Sequence, residues 1–256
     1  MGNAQISTES LLIASSLILI TVIFSYWQKL GLEKDTIIGV VRAVVQLVIV
    51  GYILKYVFKF DDIWFTCLIL LFMMVNAAYN ARSRGKEIKN SFWISLIGIF
   101  VGEVITLAVL ILSGAINFTA YQVIPVSGMI ISNSMVAIGL CYRNMLVNFK
   151  DRRNEIETKL ALGADILTSS KDIIRDTMKT GMLPSIDSAK TLGIVTLPGI
   201  MTGLILAGTE PIQAIKYQLM VTFMLLSTTS IASLIVCYLA YKNFFNKRAQ
   251  LLNIDA

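Results

Sequence analysis

The residues able to do chemistry in this chain are few, and most lie inside apolar runs. Glu103 stands in the run at residues 92–112, Arg42 and Gln46 in the run at 36–56, and Asn133 in the run at 121–140. Asn76 and Asn80 close the run at 64–79. Histidine is absent, which removes the commonest metal ligand and the usual general base. Cys67, Cys141 and Cys237 have no C-x-x-C spacing and read as small apolar residues. The 11 methionines of so apolar a chain read as packing, not as a thioether site for a soft metal. No catalytic group and no ligand set for a metal emerges.

The remaining chemistry is that of polar groups at hydrocarbon depth. Such a group costs several kcal/mol unless it faces protein or water. Gln46, Asn76, Asn80, Glu103 and Asn133 are therefore the candidates to line a solute path, or else to bond neighbouring helices. Glu103 is the sharpest case. Counted from residue 92 it lies about 16 Å along a helix at 1.5 Å per residue, near the middle of a hydrocarbon core about 30 Å thick. It is either a cation site or proton carrier, or a structural glutamate that is neutral or paired with Arg42. Arg42 itself lies near a helix end, where its long side chain snorkels outward.

The elements that position these residues are membrane-spanning helices. Of the 256 residues, 56% are hydrophobic and 15% charged, against about a quarter charged in soluble domains. Seven apolar runs, at 11–27, 36–56, 64–79, 92–112, 121–140, 191–208 and 217–241, are each near the ~20 residues that cross a bilayer as a helix. The first lacks a basic n-region and a small-residue cleavage site, so it reads as an anchor and not a removed signal peptide. The expected fold is an all-α polytopic membrane protein, with residues 1–256 forming one transmembrane domain.

The net charge of +6 does not point to nucleic acid, because the basic residues crowd into short connections beside apolar runs. Eighteen of the 22 Lys and Arg fall in one alternate set of connections, three in the other, and Arg42 inside a run. The positive-inside rule then places the N-terminus outside, and the segment at 142–190 and the C-terminus in the cytoplasm.

That 142–190 segment is the longest hydrophilic stretch. Glu155 precedes Lys159 by four, and Ile156, Leu160 and Leu162 share part of one face, giving a short amphipathic helix that stops at Gly163. Ile166, Leu167, Ile173, Ile174, Met178 and Met182 recur at helical spacing opposite a charged face, a pattern that reaches Pro184. The expectation is a second amphipathic helix lying along the membrane surface or packed under the spans.

Glu157-x-x-x-x-Leu162-Gly163-Ala164 resembles the coupling-loop signature of ABC-transporter permeases, with Thr158 and Lys159 in place of two alanines. A second resemblance covers almost the whole chain. It rests on LEKD at 32–35, RAVVQLVIVGYILKY at 42–56, NAAYNA at 76–81, ITLAVLILSGAI at 105–116, DSAKTLGIVTLPGIMTGLI at 187–205 and AIKYQLMVTFMLLST at 214–228. In these stretches the chain is similar to the bacterial FetB family of iron-export ABC permeases, which has plant half-transporter relatives associated with aluminium tolerance.

The resemblance implies a permease subunit that dimerises and exports iron or another metal. It also implies a docking site at Glu157, Leu160, Leu162, Gly163 and Ala164 for a separate cytoplasmic ATPase that binds ATP and magnesium. No Gly-x-x-x-x-Gly-Lys-Ser/Thr loop occurs in the chain, so an ATPase activity belongs to another polypeptide and none is expected here. Gly98 with Gly102 and Gly199 with Gly203 are small-xxx-small pairs that serve either dimerisation or packing within the chain. Pro198-Gly199 reads as a kink or hinge inside the sixth span. The rival expectations are a proton-coupled carrier or channel using Glu103, a membrane anchor that tethers an ATPase without transport, and an ABC permease for a non-metal solute.

Overall fold

The computed structural model describes residues 8–60 and 62–252. Among these residues the regular elements are helices, arranged in two compact units divided at residue 60.

The first unit is a helical hairpin of α1 (Thr8–Trp27) and α2 (Glu33–Phe60). Its turn needs left-handed backbone at Lys29 (φ 52°) and Gly31 (φ 71°), the conformation glycine tolerates best. Buried Ser25 closes the turn: its hydroxyl donates to Glu33 Oε1 at 2.8 Å and accepts from the Leu32 amide at 3.2 Å.

The second unit contains α3 (Ile63–Ser83), α4 (Ser91–Leu112), α5 (Ala120–Asp151), α6 (Arg153–Ala161), α7 (Ile166–Thr191), α8 (Gly199–Leu206) and α9 (Pro211–Ala240), followed by a 3-10 turn, Tyr241–Phe244. Asp62 caps α3 by accepting from the Trp64 amide at 2.9 Å, and Pro211 opens α9 at a position where its missing N–H costs nothing. The 32-residue α5 packs against α3, α4, α7 and α9.

Close approach is made by small residues. A Cβ on Gly98 would lie 2.8 Å from Val236 Cγ2, and one on Gly102 would lie 3.1 Å from Thr228 Oγ1. The small pair of α4 thus packs against α9 of the same chain. Buried Tyr142 joins α5 to the start of α4, its hydroxyl within 2.9 Å of both the Ser91 carbonyl and the Ser95 hydroxyl. At the same end Phe149 stacks on Phe244, ring centroids 4.1 Å apart.

Among the described residues, five helical segments are long and apolar enough to cross a membrane: Glu33–Ile53, Ile63–Ser83, Ser91–Leu112, Ala120–Asp151 and Pro211–Phe244, with a shorter apolar helix at Ile13–Trp27. The chain is an all-α polytopic membrane protein. The expected sixth span at 191–208 is different. Gly193 turns left-handed (φ 80°) and Pro198 is the N-cap of α8, which has 8 residues. A helix of that size is about 12 Å long, well short of a bilayer core of about 30 Å. Pro198-Gly199 therefore starts a helix and does not kink one.

The second amphipathic helix also departs from expectation. It does not end near Pro184 but continues through it to Thr191, 26 residues in all. Nor does it lie on a surface: it packs along α5 and α9. Gly181 is the reason. A Cβ there would lie 2.5 Å from Cys141 Sγ, 2.7 Å from Ser233 Oγ and 3.3 Å from the Ala137 carbonyl oxygen, so only a residue without a side chain lets three helices meet at this point.

Candidate functional site

Two regions of the second unit bring candidate residues together. The first is the α6–α7 corner. α6 ends in a Schellman motif: the Ala164 amide donates to the Lys159 carbonyl at 3.0 Å, the Gly163 amide to that of Leu160 at 3.0 Å, and Gly163 is left-handed at φ 91°. Asp165 then caps α7, accepting from the Thr168 amide at 3.3 Å, and the Thr168 contact holds its carboxyl below the usual range.

Ile156, with 1% of its surface exposed, and half-buried Leu160 seat one face of α6 on the bundle. A charged lattice fixes its angle. Arg152 binds Glu155 through two N–H groups, at 2.7 and 3.0 Å, and reaches Asp176 at 3.2 Å; Lys159 bridges Glu155 at 2.7 Å and Asp172 at 2.9 Å. The Arg152 guanidinium, then the Lys159 ammonium, pull the Glu155 carboxyl down to about 2. Lys159 lowers Asp172, while Glu155 raises both Arg152 and Lys159.

The opposite face of α6 is open. Glu157 is exposed and pairs with Arg153 at 2.7 Å, a Cβ added to Gly163 would meet no atom within 4 Å, and Leu162 exposes 83% of its surface. Ala164 is half-buried beside them. Arg153, Glu157, Leu160, Ala161 and Ala164 share a recess of about 620 Å³ with the C-terminal residues 248–251. An apolar knob beside a glycine turn, on a helix clamped from behind, is a surface suited to a groove on another protein.

The second region is a cavity of about 160 Å³ between α5, α7 and α9. Its polar lining comes from Asn133, Ser185, Ser188, Gln218, Thr222 and Thr229. Asn133 donates to the Met129 carbonyl at 2.8 Å, whereas the buried Gln218 Oε1 has no hydrogen-bond partner. Pro184 also lines the cavity. Having no N–H, it leaves the Thr180 carbonyl without its usual helical donor. The cavity is small, with hydroxyl and amide groups set among apolar lining residues.

The other residues singled out from sequence are scattered. Glu103 is 3% exposed on the inner face of α4, beside the Ser127 hydroxyl of α5. Asn76 and Asn80 are exposed on α3. Gln46 and Arg42 line a shallow apolar groove of α2 within the first unit. Gly199 and Gly203 face open space, unlike Gly98 and Gly102. Among the described residues no three or more of His, Cys, Asp and Glu cluster as a metal site.

Sequence reading overlooked most of the cavity. A signal was present: Gln218, Thr222 and Thr229 recur at i, i+4 and i+11 in α9, and Ser185 and Ser188 at i and i+3 in α7, spacings that put each set on one helix face.

Comparison with known proteins covers nearly all of the chain. It is similar to the Escherichia coli (strain K12) protein described as "Probable iron export permease protein FetB", 51% identical over 98% of this chain and 97% of that protein. It is similar to the Bacillus subtilis (strain 168) "UPF0014 membrane protein YjkA", 39% identical over 94% of this chain and 97% of the relative. It is also similar to the Arabidopsis thaliana "Protein ALUMINUM SENSITIVE 3", 33% identical over 91% of this chain and 86% of the relative. No solved structure gives a significant match. The family model described as "Uncharacterised protein family (UPF0014)" matches residues 8–245, and the chain belongs to that family of membrane proteins.

Proposed function

We propose that the chain is the permease subunit of an ABC-type exporter of iron or another metal, working with a separate ATPase. The observation that carries this reading is 51% identity, over nearly the full length, to a protein named as an iron export permease. The α6 surface supports it: Glu157, Leu160, Leu162, Gly163 and Ala164 form the docking element, and the ion lattice behind them passes motion of α6 to α7. ATP and magnesium act on the partner. In this chain the chemistry is conformational: nucleotide binding elsewhere biases two packings of the helices, and the solute is exposed to one side or the other.

In this reading the protein is a homodimer in the cytoplasmic membrane, with the N-terminus outside and the α6 corner and C-terminus in the cytoplasm. It is not an enzyme in its own right. Gln46, Asn76, Asn80, Glu103 and Asn133 remain the path candidates, and the glycine pair of α8, being open, is a dimer contact.

A second reading, a proton-coupled carrier, is favoured by one observation: Glu103, an ionisable group, is 3% exposed on an otherwise apolar helix. An ABC permease for a non-metal solute shares the first mechanism and differs in cargo. Iron flux in proteoliposomes, with and without the ATPase and ATP, separates these. Flux that requires both supports the exporter; flux driven by a proton gradient alone supports the carrier; flux of neither kind, with ATPase stimulation intact, moves the substrate away from iron. An anchor that only tethers the ATPase would bind it with no stimulation and no flux.

A further inference from the structure

α4 and α9 run antiparallel and touch through small residues: Gly98 meets Ala232 and Val236, and Gly102 meets Thr228. The stripe of α4 that carries glycine at 98 and 102 continues as Ile105 and Val109. Branched side chains do not let two backbones approach as glycine does. The close contact ends there, and a groove of about 540 Å³ takes its place. Its floor is buried Leu110 and Met224, and its sides carry exposed Val109 and Phe223.

The same register fixes the depth of the groove. Carried on from the contact of Gly102 with Thr228, it sets Lys216 level with Gly114, two residues past the apolar run at 92–112. Lys216 also stands immediately before the apolar run of α9 at 217–241. Both helices thus put Lys216 at the edge of the hydrocarbon core. From Lys216 and Ser113 the groove reaches Ser227, which is level with Glu103 near the middle of its span. That is about 16 Å of α9 at 1.5 Å per residue, half of a core about 30 Å thick. The groove is one leaflet deep.

Its chemistry matches its position. The body is apolar, and the mouth carries a cation at the level where lipid phosphates sit. Lys216 is exposed and, among the described residues, forms no ion pair, either with Glu210 at the N-cap of α9 or with any other carboxylate. A lysine near a lipid surface attracts anionic headgroups.

We propose that this groove is a specific site for an anionic phospholipid, its phosphate on the Lys216 ammonium and one acyl chain laid between α4 and α9 as far as Ser227. Filled, the groove holds α4 and α9 together at the end where they lack a glycine contact. The inference rests on the chain being a membrane protein, and not on its cargo or its energy source.

The test is native mass spectrometry of the whole chain, purified in detergent, stripped of lipid and titrated with dioleoyl phosphatidylglycerol or dioleoyl phosphatidylcholine. Each copy should retain one phosphatidylglycerol at about fivefold lower concentration than phosphatidylcholine. Lys216→Gln should abolish that preference, whereas Lys171→Gln, exposed on α7 near the α6 corner, should keep it. Ser227→Trp fills the deep end of the groove. It should weaken retention of the dioleoyl lipid and spare dioctanoyl phosphatidylglycerol, whose chains are too short to reach that end. Equal retention of the two headgroups, or a preference that Lys216→Gln keeps, overturns the lysine as anchor. Dioleoyl retention unchanged in Ser227→Trp overturns the groove as the acyl seat. Dimers that retain no lipid and are lost in Ser227→Trp make the groove a contact between copies, which also overturns the proposal.

Discussion

Glu103 is the residue whose surroundings and chemistry conflict most. Its carboxylate is buried beside the Ser127 hydroxyl, and one hydroxyl offsets little of the cost of a buried charge. Glu103→Gln keeps the volume and removes the ionisable group. Thermal unfolding in detergent should show unchanged or slightly raised stability; a loss of about 3–5 kcal/mol would mark the glutamate as half of a buried ion pair. Leu162 is the opposite case. It is 83% exposed, so Leu162→Asp should alter stability by no more than about 0.5 kcal/mol while abolishing capture of the ATPase in a pull-down. It is a better probe than Gly163, where φ 91° makes any side chain a backbone strain as well as a block.

Glu155 carries a pH signature. Its ordinary carboxyl range is about 4.3, and in the lattice it is about 2. The lattice therefore contributes fully above about pH 4.3 and is lost as pH falls through about 2. Being half-exposed, the pairs are worth about 0–1 kcal/mol each. Protection of the α6 amides, taken relative to the intrinsic exchange rate at each pH, should hold down to about pH 4 and fall below it, with Glu155→Gln removing that dependence.

At the scale of elements, the bundle turns on which glycines are covered. Gly181→Val pushes a branched side chain into Cys141, Ser233 and the Ala137 carbonyl and should cost about 1–3 kcal/mol of stability by overpacking. Gly203→Val meets open space and should leave the stability of the detergent-solubilised chain nearly unchanged. The four long spans of the second unit were legible because apolar runs near 20 residues have few alternatives in a membrane. The short helix with its glycine stop was legible from Glu155, Lys159 and Gly163.

The first part of α7 was legible from the helical spacing of Ile166, Ile173, Ile174 and Met178, but not its continuation past Pro184 to Thr191 or its packing, in which Ile173, Ile174 and Gly181 bury one side against α5 and α9. Equally, Gly193, Pro198 and Gly199 break the 191–208 run that hydrophobicity alone reads as a span. Periodicity shows which face is apolar, but not which helix that face will meet. For the same reason the spacings of Gln218 and Ser188 mark a polar face on each helix, but that the two faces meet depends on α7 standing beside α9.

At the scale of the molecule, the lattice-clamped α6 leads directly into α7, which packs along α5 and α9. Displacing α6 would carry α7 with it, the coupling that the proposed externally powered permease would use. The most direct measurement is iron flux in proteoliposomes holding this chain and its candidate ATPase, with and without ATP, beside the Leu162→Asp variant. The expected result is ATP-dependent flux that the variant loses while remaining folded and inserted. Flux that proceeds without ATP, or that the variant retains in full, would contradict it.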